Sequence, residues 1–342
     1  MKPFAGLLIA ALAAACNNAD AGATLAAGAV YVTNEDSGDL SVIDPSSRRE
    51  VMRVPLGKRP RGVAISPDRS TLYVALSGSP RGGPNVDERT LPPPDRSADG
   101  IGVVDLNTHR LVKVLPSGTD PEQVAVSHDG SLLFVANEDA ARASVIEVAT
   151  GEVLAWFPVG AEPEGIAVQP NAQRFWVTSE DDGKVYVIDW QQRRMVGSVQ
   201  VGPRPRNVAF LPDGSRAYVP SENGGTVSVI DTATLAVVHT IRLGDARAMG
   251  VVVSPDGSRL YVSTGRSRHV LTIDTATHAI VRSVTAGTRP WGIALDGAGL
   301  IYTANGPSND VSVIDPVVGQ LKGSIATGTN PWGAIFVPAT PP

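Results

Sequence analysis

An internal repeat runs through almost the whole of this chain and limits the folds it can adopt. A short apolar segment of the S-V-I-D type recurs, and it ends at Asp44, Asp105, Glu147, Asp189, Asp231, Asp274 and Asp315. The successive spacings are 61, 42, 42, 42, 43 and 41 residues. A fixed period of 40 to 45 residues is typical of the blades of a β-propeller. The spacing therefore predicts seven blades, with one insertion in the first interval.

Two further markers share this period. A strand with an aromatic residue before a β-branched one recurs, as in Tyr31-Val32 and Tyr261-Val262. A proline recurs in six of the seven copies, at Pro60, Pro121, Pro163, Pro205, Pro290 and Pro331. The remaining copy has no proline and reads Ala-Arg-Ala-Met-Gly at residues 246–250. Three markers with one period are hard to obtain by chance, so we treat the repeat as structural.

Each repeat is predicted to form four short strands, a to d. In the repeat at 163–201 they are expected at 165–169, 174–179, 184–189 and 194–201, with turn residues between them. The chain begins on a b strand, Ala29–Asn34, and ends on an a strand, Gly333–Val337. We therefore expect an all-β propeller over residues 29–338, seven blades of four antiparallel strands, closed by pairing of these two strands. Residues 339–342 are a short tail.

The first residues have the layout of an export signal. One lysine precedes a short apolar run that ends in small residues, and we assign 1–21 to the signal and 22–28 to a linker. Two processing routes are open, lipidation at Cys16 or cleavage after the A-x-A site at 19–21. We expect an exported protein, in the periplasm or attached to the envelope. Any membrane association would come only from a lipid on Cys16.

Composition and motifs exclude several function classes. The formal net charge is -5 and the isoelectric point about 5.6, so the chain lacks the basic surface that nucleic-acid binding needs. Cys16 is the only cysteine, so the propeller has no disulfide. The sequence also lacks the common hydrolase, phosphate-loop and dinucleotide motifs. We predict no cofactor and no histidine-based metal site.

Short sequence motifs over almost all of residues 29–338 resemble those of the YVTN β-propeller repeat family. They are Y-V-T-N at 31–34, S-V-I-D at 41–44 and 228–231, P-E-G at 163–165, and P-W-G at 290–292 and 331–333. The resemblance is nearest to the branch associated with catabolism that depends on the quinone cofactor PQQ. It implies a periplasmic or surface propeller, and related propellers serve both as lactonases and as binding platforms.

One face of the predicted propeller collects most of the informative residues, because the d-to-a and b-to-c connections share it. The residues at the start of strand a are Arg61, Glu122, Glu164, Arg206, Arg247, Trp291 and Trp332. Those at the end of strand b are Glu35, Glu138, Glu180 and Glu222. A long irregular insertion, residues 77–100, should overhang the same face. Insertions of this length in a compact domain are usually functional or disordered.

These residues allow two interpretations. They could form a pocket in which arginines bind an anion, glutamates act as acid and base or hold Ca²⁺, and tryptophans stack on a flat ligand. Alternatively, Glu and Arg on neighbouring blades pair with each other, and Trp291 and Trp332 pack between blades. We expect a monomeric, non-catalytic platform for an envelope protein or a small anionic ligand, linked to PQQ-dependent alcohol catabolism. The alternatives are a metal-dependent, lactonase-like hydrolase that uses the glutamates and a purely structural surface protein.

Overall fold

The chain forms seven four-stranded antiparallel sheets arranged as a propeller, in a computed structural model that describes residues 25, 27–82 and 88–339. Helical structure in this part of the chain is limited to four single turns of 3₁₀ helix, at Glu88–Thr90, Arg96–Ala98, Gly265–Ser267 and Gly306–Ser308. The seven-bladed fold and the four strands per blade predicted from the repeat are confirmed.

The strands follow the chain in order. Blade 1 contains β1 (Ala29–Asn34), β2 (Asp39–Asp44) and β3 (Arg49–Pro55). Blades 2 and 3 contain β4 (Pro60–Ile65), β5 (Thr71–Leu76), β6 (Gly100–Asp105), β7 (Arg110–Leu115), β8 (Pro121–Val126), β9 (Leu132–Asn137), β10 (Arg142–Glu147) and β11 (Val153–Pro158). Blades 4 and 5 contain β12 (Pro163–Val168), β13 (Arg174–Ser179), β14 (Lys184–Asp189), β15 (Arg194–Gln200), β16 (Ala209–Phe210), β17 (Arg216–Ser221), β18 (Thr226–Asp231) and β19 (Ala236–Arg242). Blades 6 and 7 contain β20 (Val251–Val253), β21 (Arg259–Ser263), β22 (His269–Asp274), β23 (Ile280–Thr285), β24 (Pro290–Leu295), β25 (Ile301–Asn305), β26 (Asp310–Asp315) and β27 (Gln320–Ala326), and β28 (Pro331–Val337) completes blade 1.

The first and last strands close the ring as predicted. Strand β28 pairs antiparallel with β1, and the register joins Ala29 to Val337 and Val32 to Ala334. The observed strand begins at Pro331, two residues before the predicted start at Gly333. Because strands from both ends of the chain share one sheet, the edges that an open ring would leave unpaired are covered.

The turns form because acidic and hydroxyl side chains bond to their own backbone. In the turn after β18, the Asp231 Oδ1 atom accepts hydrogen bonds from the amides of Ala233 at 3.1 Å and Thr234 at 2.9 Å. In the turn before β21, Gly257 has a φ of +73°, a conformation that glycine adopts without steric cost. Local turn chemistry therefore fixes the hairpins from which each blade is built.

The core lies between the blades and consists of their apolar faces. Strands of the b and c type are buried almost throughout, as in β1 and β10, whereas outer strands such as β3 alternate between exposed and half-buried positions. Trp176, Tyr218 and Tyr302 are among the largest fully buried side chains. Each sheet thus buries both faces against its neighbours, which a single blade could not do alone.

The glycine of the recurring P-x-G words permits close approach of neighbouring inner strands. A Cβ atom on Gly333 would lie 2.5 Å from the carbonyl oxygen of Arg61, and one on Gly165 would lie 2.5 Å from that of Arg206. Any larger residue would push adjacent blades apart. The motif therefore holds the starts of the inner strands, and the side chains they carry, close together around the channel.

Two blades depart from the common pattern. The inner strand of blade 5 has only two residues, Ala209–Phe210, and that of blade 6, where the proline is missing, has three, Val251–Val253. Residues 203–208 and 246–250 therefore run along the channel as irregular backbone. The predicted export signal, including Cys16, lies outside the described residues. None of the helices in the described ranges is long and apolar enough to cross a membrane.

Candidate functional site

The connections that the sequence placed on one face line a common cavity at the mouth of the channel. Its volume is about 890 Å³. Its lining includes ten predicted site residues, namely Glu35, Arg61, Glu138, Glu164, Glu180, Arg206, Glu222, Arg247, Trp291 and Trp332. The eleventh, Glu122, is fully buried behind them. The shared register of the repeats therefore brings these side chains together.

Arg61, at the start of β4, is surrounded by carboxylates from the two neighbouring blades. Its guanidinium lies 3.3 Å from Glu35 on blade 1, and 3.5 Å and 3.4 Å from Asp120 and Glu138 on blade 3; it also contacts Glu122. Burial opposes the charge on Arg61, but these carboxylates outweigh burial and raise its pKa. We call these five residues the Arg61 cluster. They tie three consecutive blades together.

The Arg61 cluster contains more carboxyl groups than guanidinium groups. Four carboxyl groups face Arg61, and Arg59 shares only one of them, Glu35, at 2.9 Å. Burial raises the pKa of Glu138 to about 8; nearby Glu164 and Asp120 act in the same direction, and Arg61 acts against it. Because Glu138 also lines the cavity, it is a carboxyl group that can exchange a proton with a ligand near neutral pH.

Arg206 forms a second buried cluster on the next blades. It lies 3.1 Å from Glu164, contacts Glu180, and lies 2.6 Å from Glu222. Its side chain and those of its three partners are no more than 6% exposed. Burial opposes the charge, but Glu164 and Glu222 more than offset this effect and raise the pKa of Arg206. We call these four residues the Arg206 cluster.

The two predicted tryptophans lie side by side between the clusters. The ring centroids of Trp291 and Trp332 are 5.7 Å apart. The Arg61 guanidinium lies 5.9 Å from the Trp332 ring centroid, and those of Arg206 and Arg289 lie 5.1 Å and 4.9 Å from that of Trp291. Trp332 is buried and Trp291 half-buried. Both rings therefore pack between blades and against cations, and Trp291 keeps surface toward the cavity.

Sequence reasoning missed the residues that precede the recurring prolines. They have left-handed backbone and all line the cavity: Arg59, Asp120, Glu162, Arg204, Arg289 and Asn330, with φ between 39° and 58°. A non-glycine residue in this region costs about 1–3 kcal/mol. A polar residue recurs one position before each proline and is charged in five of the six copies. This was a usable signal, because residues at the same register face the same mouth.

The side of the cavity on blades 6 and 7 is basic. Arg247 and Arg266 come from blade 6, and Arg289 stands at the start of blade 7. Arg247 donates a hydrogen bond to the side-chain oxygen of Asn223. Within the described ranges, none of the three forms an ion pair with a carboxylate. We call these three residues the basic arc.

The described residues of the insertion, 77–82 and 88–100, lie over the same mouth, as predicted. Among its described residues, Ser79 to Gly82 and Leu91 to Pro94 contribute to the cavity lining. The segment is held by ion pairs from Lys58 to Asp95 at 2.6 Å and from Arg81 to Asp36 at 2.9 Å, and by contact of Arg96 with Asp139. It is therefore attached to the propeller on both sides of its central part.

One group of carboxylates is close enough to hold a cation. Oxygen atoms of Asp120, Glu122 and Glu138 lie within 4.8 Å of one another. The guanidinium of Arg61 already lies among them, at 3.5 Å from Asp120 and 3.4 Å from Glu138 and in contact with Glu122. The positive charge that this group needs is thus supplied by the chain itself.

The fold and the cavity define a class of protein, a seven-bladed propeller with a polar ligand-sized cavity at one end of its channel. A family model described as a lactonase seven-bladed β-propeller matches residues 191–326, which run from the last strand of blade 4 through blade 7. Within that stretch the chain is similar to lactonase-type propellers. No curated protein matches the chain.

Several solved structures share the fold. A putative 6-phosphogluconolactonase from Bacteroides fragilis is 16% identical with a TM-score of 0.73, covering 93% of this chain and 100% of that one. One from Bacteroides uniformis is 18% identical with a TM-score of 0.72, covering 91% and 100%. Hydrazine synthase from Kuenenia stuttgartiensis is 21% identical with a TM-score of 0.67, covering 79% and 87%. At these identities the similarity establishes the architecture.

Proposed function

We propose that the cavity binds a small lactone and hydrolyses it without a metal ion, with Glu138 as the group that transfers the proton. The observation that carries this proposal is the position of Glu138, a cavity-lining carboxyl whose pKa is raised to about 8. A proton-transfer group works best when its pKa is near the working pH. The partial match to the lactonase family model and the putative lactonases among the structural neighbours support the same class of reaction.

The reaction can be written with the residues of this chain. Ionised Glu138 accepts a proton from water while the water oxygen adds to the lactone carbonyl carbon. Cationic side chains of the cavity stabilise the negative charge that develops on the carbonyl oxygen. The bond between the carbonyl carbon and the ring oxygen then breaks, and Glu138 returns its proton to the ring oxygen. One water is consumed, and the product is a hydroxy acid.

The test is hydrolysis of D-glucono-δ-lactone and 6-phosphogluconolactone by the purified protein, after subtraction of spontaneous hydrolysis. We expect Glu138→Gln to lower kcat/KM about 100-fold or more, because general acid–base catalysis contributes at least that factor. The matched control is Asp181→Asn, which neutralises another cavity-lining carboxylate and should leave the rate nearly unchanged. We also expect the wild-type rate to rise with pH and to level off above about pH 8. Equal rates for wild type and Glu138→Gln would refute the proposal.

A binding platform is the second candidate. The observation that favours it is the attached insertion, which places Arg81 and the prolines 92–94 over the mouth, where a partner would meet them first. Export to the periplasm or envelope and a link to PQQ-dependent catabolism belong to this candidate; the first rests on the layout of residues 1–21 and the second on the sequence resemblance. If neither lactone is hydrolysed, the platform becomes the favoured function.

A further inference from the structure

The arginines of the mouth fall into two groups with different surroundings. Arg61 and Arg206 are each enclosed by three or more carboxylates. The basic arc has no such partner in the described part of the chain, although all three of its side chains line the cavity. Arginine is the side chain best suited to bind carboxylate or phosphate, because its planar donors match those groups. The uncompensated arginines are therefore the ones available to a ligand.

Positive charge accumulates around Arg289. Burial lowers the pKa of Arg289, and Arg206, Arg266 and Arg81 lower it further, while Glu222 acts in the opposite direction. The Glu222 carboxylate is already bound by Arg206 at 2.6 Å. Arg289 and Arg266 thus lie close enough to repel each other, and the carboxylate that acts against this effect is shared with Arg206. An anion bound there would relieve the repulsion between them.

The backbone conformation of Arg289 is also unusual for an arginine. Its φ of 55° is one that glycine or asparagine adopts more easily, and Asn330 occupies the equivalent position in the final repeat. An arginine is nevertheless held there by the following Pro290 and by stacking on Trp291, 4.9 Å from its ring centroid. The contact with Trp291 thus holds at the cavity a guanidinium that forms no ion pair with a carboxylate of the described residues.

We propose that Arg247, Arg266 and Arg289 form an anion subsite that binds the carboxylate or phosphate of a small organic ligand, with Trp291 beside the carbon skeleton of that ligand. The subsite lies on blades 6 and 7, whereas Glu138 lies on blade 3. This inference deepens the proposed function, because it specifies that the ligand carries a carboxylate or phosphate group. It rests on that function only because both sites lie in the same cavity. The ligand would be oriented with its anionic end toward the basic arc.

The test is titration calorimetry of the full protein with inorganic phosphate, gluconate and 6-phosphogluconate, together with quenching of tryptophan fluorescence. We expect saturable binding of phosphate and 6-phosphogluconate that weakens with added salt. Arg289→Gln and Arg266→Gln should each weaken binding by about tenfold or more, because each removes a charge-assisted hydrogen bond. The control Arg110→Gln removes the same charge outside the cavity lining and should bind as the wild type does.

The outcomes separate this inference from the proposed function. Glu138→Gln should retain anion binding even where it has lost hydrolysis. Phosphate binding that depends on Arg289 in a protein that hydrolyses no lactone would support the subsite and refute the hydrolase. Binding of phosphate or 6-phosphogluconate that is equal in wild type, Arg289→Gln and Arg266→Gln would overturn the subsite. So would the absence of binding of all three anions at millimolar concentration by folded wild-type protein.

Discussion

The two sides of the channel mouth differ in how their charges are compensated. On blades 1 to 5, the Arg61 and Arg206 clusters pair each arginine with carboxylates of its own or neighbouring blades. On blades 6 and 7, the basic arc lines the same cavity without carboxylate partners in the described ranges. Arginines that line one channel mouth therefore have different roles. The first group holds blades together, and the second is exposed to whatever enters the cavity.

The difference follows from the physics of buried charge. A buried arginine is tolerated only when carboxylates and hydrogen bonds replace the water it has lost. Arg206 meets this condition, since its side chain is 6% exposed and three carboxylates surround it. Arg266 is exposed and Arg247 and Arg289 are half-buried, so water still reaches them. An incoming anion meets solvent-accessible arginines at the basic arc, whereas it would have to break ion pairs at the clusters.

We expect the greatest loss of stability from replacing an arginine of a buried cluster. An exposed arginine that binds the same carboxylate provides the comparison. Arg206 and Arg204 both bind Glu180, but their side chains are 6% and 44% exposed. We expect Arg206→Met to lower the free energy of unfolding by about 3–5 kcal/mol, because the buried carboxylates of Glu164 and Glu222 lose the cation that pairs with them and Glu180 keeps only Arg204. Arg204→Met should lower it by about 1 kcal/mol or less. Chemical denaturation measures both. Similar losses for the two variants would contradict the division of the mouth into structural and available arginines.

We expect a smaller change in stability from the titration of Glu138 in the Arg61 cluster. The folded state raises the pKa of Glu138 from 4.5 to about 8, so it binds this proton more tightly than the unfolded chain does. The resulting stabilisation is fully present below about pH 4.5 and is lost as the pH rises to about 8. We therefore expect the free energy of unfolding of the wild type to fall across this range relative to Glu138→Gln. Parallel curves for the two proteins would show that Glu138 titrates normally.

The smallest expected effect is that of a chelator. Because the Arg61 guanidinium lies among Asp120, Glu122 and Glu138, we expect EDTA to leave the thermal unfolding midpoint and any lactone hydrolysis unchanged. Added Ca²⁺ should likewise produce no shift. A rise in the midpoint with Ca²⁺ that disappears in Asp120→Asn would instead favour the metal-dependent alternative and would require Arg61 to move away from these carboxylates.

Most of the fold could be predicted from the sequence, and the site only in part. The predicted strand bounds in the repeat at 163–201 differ from the observed ones by at most two residues. The short inner strands of blades 5 and 6 were not predicted, because the markers of the repeat persist where the backbone departs from it. Among the residues of the mouth, Arg61 and Glu138 were predicted from their positions in the repeat, whereas Asp120 and Arg289 were not predicted. They precede the prolines that served as landmarks.

The sequence alone was enough to predict the number of blades, the closing strand pair and the face that carries the polar residues. It could do so because turn chemistry and strand periodicity are local and repeat with the chain. Which charges neutralise each other was decided only by the tertiary structure. Arg61 and Glu138 are separated by 77 residues, and partners on neighbouring blades meet only after those blades have packed against each other. Pairing depends on distances of a few ångströms, and no sequence spacing specifies those.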